Sequence, residues 1–277
     1  MSASHAHPRL LPSRRTAKPI RRSPLKETPL RVAGQSLDEQ ITKLKAEDLG
    51  NWSGFAAYIC GIVAVAWAMH FVKTPGLPLV ITPMGALAFA FCIYRVKVIK
   101  RRVRDLELGR DGERIVAEAL EALRQQGAVV FHDLQGAGFN IDHVIVSRRG
   151  IVAVETKTRS KFPDSKVLYD GESVRVDGMT PDRDPVVQSM AEAHALEAML
   201  RESTGKKFHV RPAVVFPGWW VESCNGAKRS PVWVLNEKAL PKFVEHGPLV
   251  LSEEDFRLAA FHLSRLIRSS GRRGSAV

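Results

Sequence analysis

Two long apolar segments interrupt an otherwise mixed pattern of apolar and polar positions. Residues 52–72 and 77–94 carry no Asp, Glu, Lys or Arg, and each approaches the roughly 20 residues that cross a bilayer core. We therefore predict two transmembrane helices that are joined by the short break at residues 73–76. The alternative is a pair of buried helices in a soluble protein. Charge-free stretches of this length favour transmembrane helices over this alternative.

Beyond residue 109 the apolar positions recur with the periods of helices and strands. The pattern predicts a helix that begins at Asp111 and ends near Gln126, and a second helix that Asp184 caps before Pro185. Strands are predicted at 128–132, 140–147, 151–157 and 210–216, and a small exposed hairpin at 166–169 and 173–176. The resulting order is α-β-β-β-α-β. A strand at 232–235 and an amphipathic helix after Ser252 are C-terminal additions, and a short helix at 36–49 precedes the apolar segments.

The formal net charge of +12 changes this picture because it is unevenly distributed. Six basic residues fall within residues 95–104, whereas residues 105–277 are neutral. Positive charge beside membrane helices marks the cytoplasmic side, so both termini are expected there, at a bacterial inner membrane. The predicted divisions are a basic and largely disordered tail at 1–50, a membrane hairpin at 51–98, a linker at 99–108 and a globular domain at 109–277, with its core at about 109–217. The three cysteines have no disulfide or zinc spacing.

The candidate chemistry lies on the two central predicted strands. Asp142 belongs to the first strand, and Glu155 and Lys157 share one face of the second, since residues two apart on a strand point the same way. Two carboxylates with the carbonyl of Thr156 suit Mg²⁺ or Mn²⁺, which take oxygen ligands and keep several waters. Lys157 would position the attacking water and stabilise charge on a phosphate.

These residues resemble the PD-(D/E)XK nuclease superfamily, and more closely its nuclease-related domain (NERD) family. The likeness covers roughly residues 109–217, and it includes Asp184-Pro185 and the sequences GE at 112–113, NIDHV at 140–144, GI at 150–151 and ETK at 155–157. It implies a restriction-endonuclease-like α/β core behind the two transmembrane helices, with Asp142, Glu155 and Lys157 as the catalytic set. Glu113 would be an accessory acid near the metal, and Gln188 a polar contact to water or phosphate.

Each assignment has a simpler alternative. Glu155 and Lys157 could form an ion pair on an exposed strand, and Asp142 could be a turn residue. Glu113 could interact only with a helix N-terminus, and Gln188 could be ordinary helix surface. His143 alternates away from Asp142, so we expect it in the core or behind the site and not as a metal ligand.

The sequence therefore predicts a membrane-anchored, metal-dependent nuclease that hydrolyses phosphodiester bonds at the cytoplasmic face. Its expected partners are the lipid bilayer and nucleic acid, with DNA ahead of RNA. The alternative is a catalytically inactive, membrane-tethered module that binds nucleic acid or a protein.

Overall fold

The computed structural model describes residues 30–71, 77–136, 138–161 and 163–274. The first 29 residues of the expected disordered tail lie outside this range. The helices are α1 (Gln35–Lys43), a π-helix (Leu44–Leu49), α2 (Gly50–His70), α3 (Leu77–Gln125), α4 (Pro185–Thr204), α5 (Ala239–Glu245) and α6 (Glu253–Gly274). The strands are β1 (Val129–Gln135), β2 (Asn140–Ser147), β3 (Gly150–Thr156), β4 (Lys166–Tyr169), β5 (Val174–Val176), β6 (Val210–Val215), β7 (Trp220–Ser223) and β8 (Trp233–Leu235).

Helix α3 is a single helix of 49 residues. It begins in the second apolar segment, runs through the basic residues and ends as the first helix of the α/β part. The prediction that Asp111 caps a new helix is therefore wrong. In the sequence, Gly109 and Gly112 look like residues that end a helix. In the structure, Gly112 lies inside the helix and packs closely against another segment, because a methyl group at this position would overlap Cγ2 of Thr158.

The main sheet has five strands in the order β1-β2-β3-β6-β8. Strands β1, β2 and β3 are antiparallel neighbours, whereas β6 is parallel to β3 and β8 is parallel to β6. The predicted order α-β-β-β-α-β is confirmed, and the protein is of the mixed α/β class. Three elements were not predicted, namely α5, a short 3-10 helix (Asn225–Arg229) and strand β7. Strand β7 pairs with β4 and so extends the predicted β4–β5 hairpin to a three-stranded sheet.

The alternating side chains of the main sheet pack against helices on both faces. Val144, Val146 and Ala153 lie in a buried cluster with residues of α4 and α6. Ile145 and Val154 lie in a second cluster with residues of α3 and α5. Strand alternation therefore assigns Glu155, two residues after Ala153, to the face covered by α4.

The chain before the first apolar helix docks on the α/β part. We call residues 31–38 the N-terminal strap. Arg31 Nε lies 2.5 Å from Asp133 Oδ2, and the Ser36 backbone N–H donates to the same oxygen at 3.0 Å. Asp38 lies within 3.2 Å of Arg110 and 2.6 Å of Arg114. Residues 31–36 belong to the segment expected to be a disordered tail, but Arg31 and the backbone of Ser36 have a partner about 100 positions further along the chain.

Helix α2 and the beginning of α3 are both long and apolar enough to cross a membrane by length and composition. The two helices pack against each other, yet many large apolar side chains remain exposed, such as Leu79 at 75% and Leu87 at 74%. This pattern differs from that of a core helix in a soluble protein, where such side chains are covered.

Replacing Gly112 with alanine should lower the thermal unfolding midpoint, since the added methyl group must displace Thr158. Overpacking of this kind costs about 1–3 kcal/mol. Gly54→Ala is the matched control, because Gly54 is also helical and a methyl group there meets no atom within 4 Å. Equal midpoints for the two variants would contradict the tight contact between α3 and the segment that follows β3.

Candidate active site

The ends of three strands bring acidic side chains together at one edge of the main sheet. Asp142 lies near the start of β2, and its Oδ2 accepts the backbone N–H of Thr156 from the end of β3 at 2.7 Å. Glu155 precedes Thr156, and both carboxylates are buried, with 8% of Asp142 and 6% of Glu155 exposed. The antiparallel pairing of β2 with β3 thus places the two predicted metal ligands side by side.

Lys157 and Gln188 complete a hydrogen-bond network around Glu155. Lys157 Nζ donates to Glu155 Oε1 at 2.6 Å and to Gln188 Oε1 at 2.9 Å. Gln188 Nε2 donates to Glu155 Oε1 at 2.8 Å. Gln188 lies in the first turn of α4, where Asp184 accepts the Val186 N–H as the predicted cap, so the start of this helix aims the amide at the carboxylate.

Glu192 was not identified from the sequence, although it belongs to this network. It lies one turn after Gln188 on α4 and accepts from Gln188 Nε2 at 2.8 Å. Its side chain is buried, and its Oε2 has no hydrogen-bond partner among the described residues. The spacing of four residues from Gln188 was the available signal, because residues i and i+4 share one face of a helix.

Glu113 reaches the acidic cluster from the interior of α3 and is held by the N-terminal strap. Its Oε2 accepts a hydrogen bond from the backbone N–H of Gly34 at 2.9 Å, and Glu113 as a whole is 6% exposed. Next to it, Asp133 is fully buried and accepts from Arg31, Ser36 and Asn140. The sequence reasoning did not include Arg31 or Asp133, since nothing in their local sequences indicates a partner about 100 residues away.

The crowding of carboxylates raises their pKa values. Burial raises the pKa of Glu113 to about 7, with a further contribution from the charge of Asp133. Burial and the charge of Glu155 raise the pKa of Glu192 to about 8. The pKa of Asp142 is well above its usual range because the side chain is buried and lies near Glu155 and Glu113. A cation among these groups would favour their charged forms.

The residues fit a small divalent cation that prefers oxygen ligands. Among the described residues, no group of three His, Cys, Asp or Glu side chains could hold a metal ion by itself. Mg²⁺ does not need such a group, because it is commonly bound by one or two carboxylates and several waters. Two buried oxygens without partners, Glu192 Oε2 and Thr156 Oγ1, belong to residues of this cluster and offer acceptors for such waters.

The geometry removes most of the simpler alternatives. The Glu155–Lys157 ion pair exists, but Glu155 is buried and the pair is not on an exposed strand. Asp142 lies within β2 and not in a turn. Glu113 is far from the beginning of its helix, and Gln188 makes three side-chain hydrogen bonds. The structure thus brings all the predicted site residues together, while their catalytic roles stay predictions.

His143 lies outside this cluster, as expected from strand alternation. It is fully buried and its Nδ1 lies 2.8 Å from Nδ1 of His132 on the neighbouring strand. Burial lowers the pKa of His143 well below its usual value, with a further contribution from His132. His143 is thus a neutral core residue at neutral pH.

Without divalent cations, the protein should lose stability as the pH rises from 5 to 8. Glu113 has its pKa raised from 4.5 to about 7, so the folded state binds more protons than the unfolded state across this window, and stability falls with rising pH. The contribution of Glu113 is on the order of 3 kcal/mol. The check is the thermal unfolding midpoint of the full chain with a chelator at several pH values. Glu113→Gln should reduce the slope, while Glu192 and Asp142, whose pKa values are also raised, keep part of it. An equal slope in this variant would contradict the assignment.

A comparison with models of protein families agrees with the nuclease-like part of this picture. Residues 108–217 match the family model described as the nuclease-related domain, NERD. This region contains α3 from Leu108 onwards, the strands β1–β6 and helix α4, and it holds Glu113, Asp142, Glu155, Lys157 and Gln188. The matched part is less than half of the chain.

A solved structure, that of Pyrococcus furiosus SfsA in complex with Ca²⁺, is similar to part of the chain. The two share 18% sequence identity with a TM-score of 0.26, and the similarity covers 47% of this chain and 55% of that chain. No curated protein matches the chain.

Proposed function

We propose that this protein is a membrane-anchored nuclease that hydrolyses phosphodiester bonds with the help of Mg²⁺ or Mn²⁺. The observation that carries the proposal is the network in which Lys157 is held between Glu155 and Gln188, with Asp142 beside them. The match of residues 108–217 to a nuclease-related family model supports it, as does the restriction-endonuclease-like order of elements.

The contacts suggest a separate role for each residue of the site. Asp142 and Glu155, with the carbonyl of Thr156, would hold the cation, which supplies neutralisation of the phosphate and activation of a water. Lys157 is 28% exposed at its side chain, so its ammonium group can face a phosphate while Glu155 and Gln188 fix its direction. Gln188 keeps the carboxylate of Glu155 oriented, and Glu113 adds negative charge nearby. Electrostatic positioning of this kind is commonly the largest catalytic contribution.

The proposed membrane placement rests on the two apolar helices and on the strap. Arg31 and Asp38 precede both helices, whereas their partners Asp133 and Arg110 follow the apolar part of α3. The segments on either side of the helix pair are therefore in contact, so two crossings would form a hairpin with both flanks on one side. The basic residues at 95–104 favour the cytoplasmic side.

Membranes washed with carbonate should retain the chain, and release without detergent would contradict the anchoring.

The activity is tested with the full chain purified in detergent. Plasmid, single-stranded DNA and RNA are incubated with Mg²⁺ or Mn²⁺, and DNA cleavage that a chelator abolishes is expected. Asp142→Asn keeps an acceptor for the Thr156 N–H but removes the charge, so it should abolish both cleavage and Mn²⁺ binding measured by calorimetry. Binding of nucleic acid that persists with chelator, with no cleavage of any substrate, would support the inactive binding module instead.

A further inference from the structure

A basic groove lies where α3 leaves its apolar segment. It is formed by the π-helix on one side and by α3 on the other, and its volume is about 720 Å³. Its charged lining consists of five basic residues and one acidic residue, namely Lys45, Lys97, Lys100, Arg101, Arg104 and Glu107. We refer to it as the basic groove.

The apolar floor of the basic groove is rigidly packed. Ile99 and Val103 are each 6% exposed and form a buried cluster with Ile41 of α1. Leu49 lines the groove and packs against the same cluster. Because packed side chains fix the two walls, the backbone positions that carry the positive charges are held close together, while the charged side chains themselves are exposed.

Most of the positive charge in the basic groove is unneutralised. Lys45 pairs with Glu107 at 2.7 Å. Within the part of the chain that the structure describes, Lys97, Lys100, Arg101 and Arg104 have no ion-pair partner. Like charges so close together repel, and an anion would relieve the repulsion and be attracted by the combined field.

The position of the groove indicates which anion it meets. The second apolar segment ends at Tyr94, and Arg95 lies 5.1 Å over the ring of Trp52, which belongs to the beginning of α2. Along a helix with a rise of 1.5 Å per residue, Lys97 and Arg101 lie roughly 5 and 10 Å beyond Tyr94. The headgroup layer of a bilayer has a thickness of about 5–8 Å on each side of the hydrocarbon core. Lys97 therefore lies within this layer, and the long side chain of Arg101 can extend back to it.

We propose that the basic groove binds the phosphate headgroup of an anionic phospholipid, with the lipid's glycerol and first methylenes against Leu49 and the aliphatic stems of the basic side chains. This proposal rests on the membrane placement proposed above. Basic pockets beside membrane helices on the cytoplasmic side suit such headgroups. Leu49 and these aliphatic stems offer the apolar part of a lipid a contact that the phosphates of a nucleic-acid backbone would not use.

The test is native mass spectrometry of the full chain in detergent, with phosphatidylglycerol and phosphatidylcholine of identical acyl chains. We expect phosphatidylglycerol to bind at least tenfold more tightly, and the double variant Lys97→Gln/Arg101→Gln to lose this preference. Arg101→Gln alone should weaken binding several-fold. Its matched control is Arg102→Gln, which removes the same charge from the neighbouring residue outside the groove and should leave binding unchanged.

Three outcomes would overturn the proposal. Equal binding of both lipids would exclude a headgroup site, and equal effects of Arg101→Gln and Arg102→Gln would indicate diffuse attraction to the basic segment. Displacement of phosphatidylglycerol by a 20-nucleotide DNA strand, but not by glycerol phosphate, would assign the groove to the nucleic acid. A chain that stays soluble without detergent would instead refute the membrane placement, and the two failures are therefore distinguishable.

Discussion

Replacing Lys157 with alanine should lower the rate of nucleic-acid cleavage roughly 100- to 1000-fold, the usual effect of removing one positioned group that stabilises a transition state. Lys157 directly follows β3 and brings a positive charge to the acidic cluster, and its Nζ is fixed by Glu155 and Gln188. Its loss removes charge stabilisation of the phosphate and leaves Glu155 without its cationic partner. The measurement is the initial rate on a plasmid with saturating Mn²⁺.

Lys166→Ala is the matched control for this prediction. Lys166 also forms an ion pair, with Glu222 at 3.0 Å, but both side chains are nearly half exposed and belong to the smaller sheet. Cleavage by this variant should equal that of the parent protein. If Lys157→Ala cleaves at the parent rate, either a contaminating nuclease produced the activity or Lys157 has a structural role only.

Replacing Arg31 with alanine should destabilise the protein by about 3–5 kcal/mol, because it leaves the buried Asp133 carboxylate without its cation. The side chain of Arg31 is 10% exposed and that of Asp133 is fully buried, so water cannot take the place of the lost partner. For a chain of this size the thermal unfolding midpoint should fall by roughly 6–20 °C. Cleavage should fall as well, since the strap also holds Glu113 through Gly34.

The double variant Arg31→Ala/Asp133→Asn separates two effects on stability, namely the unpaired buried charge of Asp133 and the lost contact with Arg31. Asparagine can still accept the N–H of Ser36 without a charge, so much of the lost stability should return. Arg257→Ala is the matched control, because Arg257 pairs with Glu253 on the exposed surface of α6, where such a pair contributes about 0.3–0.5 kcal/mol. If Arg31→Ala has an effect as small as Arg257→Ala, the strap does not contribute to the site.

Local patterns in the sequence were sufficient for the central part of the fold. The strands β2 and β3 are apolar runs that flank a turn, and their pairing in a hairpin follows from the short connection. Asp142, Glu155 and Lys157 could be predicted because the first two lie on these strands and Lys157 directly follows the second. Gln188 could be placed because Asp184 and Pro185 define the beginning of its helix.

The remaining features depend on contacts between distant parts of the chain. Gly109 and Gly112 indicated a helix boundary, but packing against Thr158 and the surrounding core keeps α3 continuous. The docking of Arg31 on Asp133 depends on a pair that is 102 positions apart. Strand β7 is short and half exposed, and it forms because β4 offers it a parallel neighbour.

The strap also orders the steps by which the site forms during synthesis. Arg31 leaves the ribosome 102 residues before its partner Asp133, and at about 5–20 residues per second this interval lasts roughly 5–20 s. Both apolar helices are made within it. Under the membrane placement proposed above, the acids on β1, β2 and β3 therefore meet an N-terminal segment that insertion of the helices has already placed. A chain whose helices insert incorrectly would then lack the strap beside these strand ends, so formation of the acidic site would depend on correct topology.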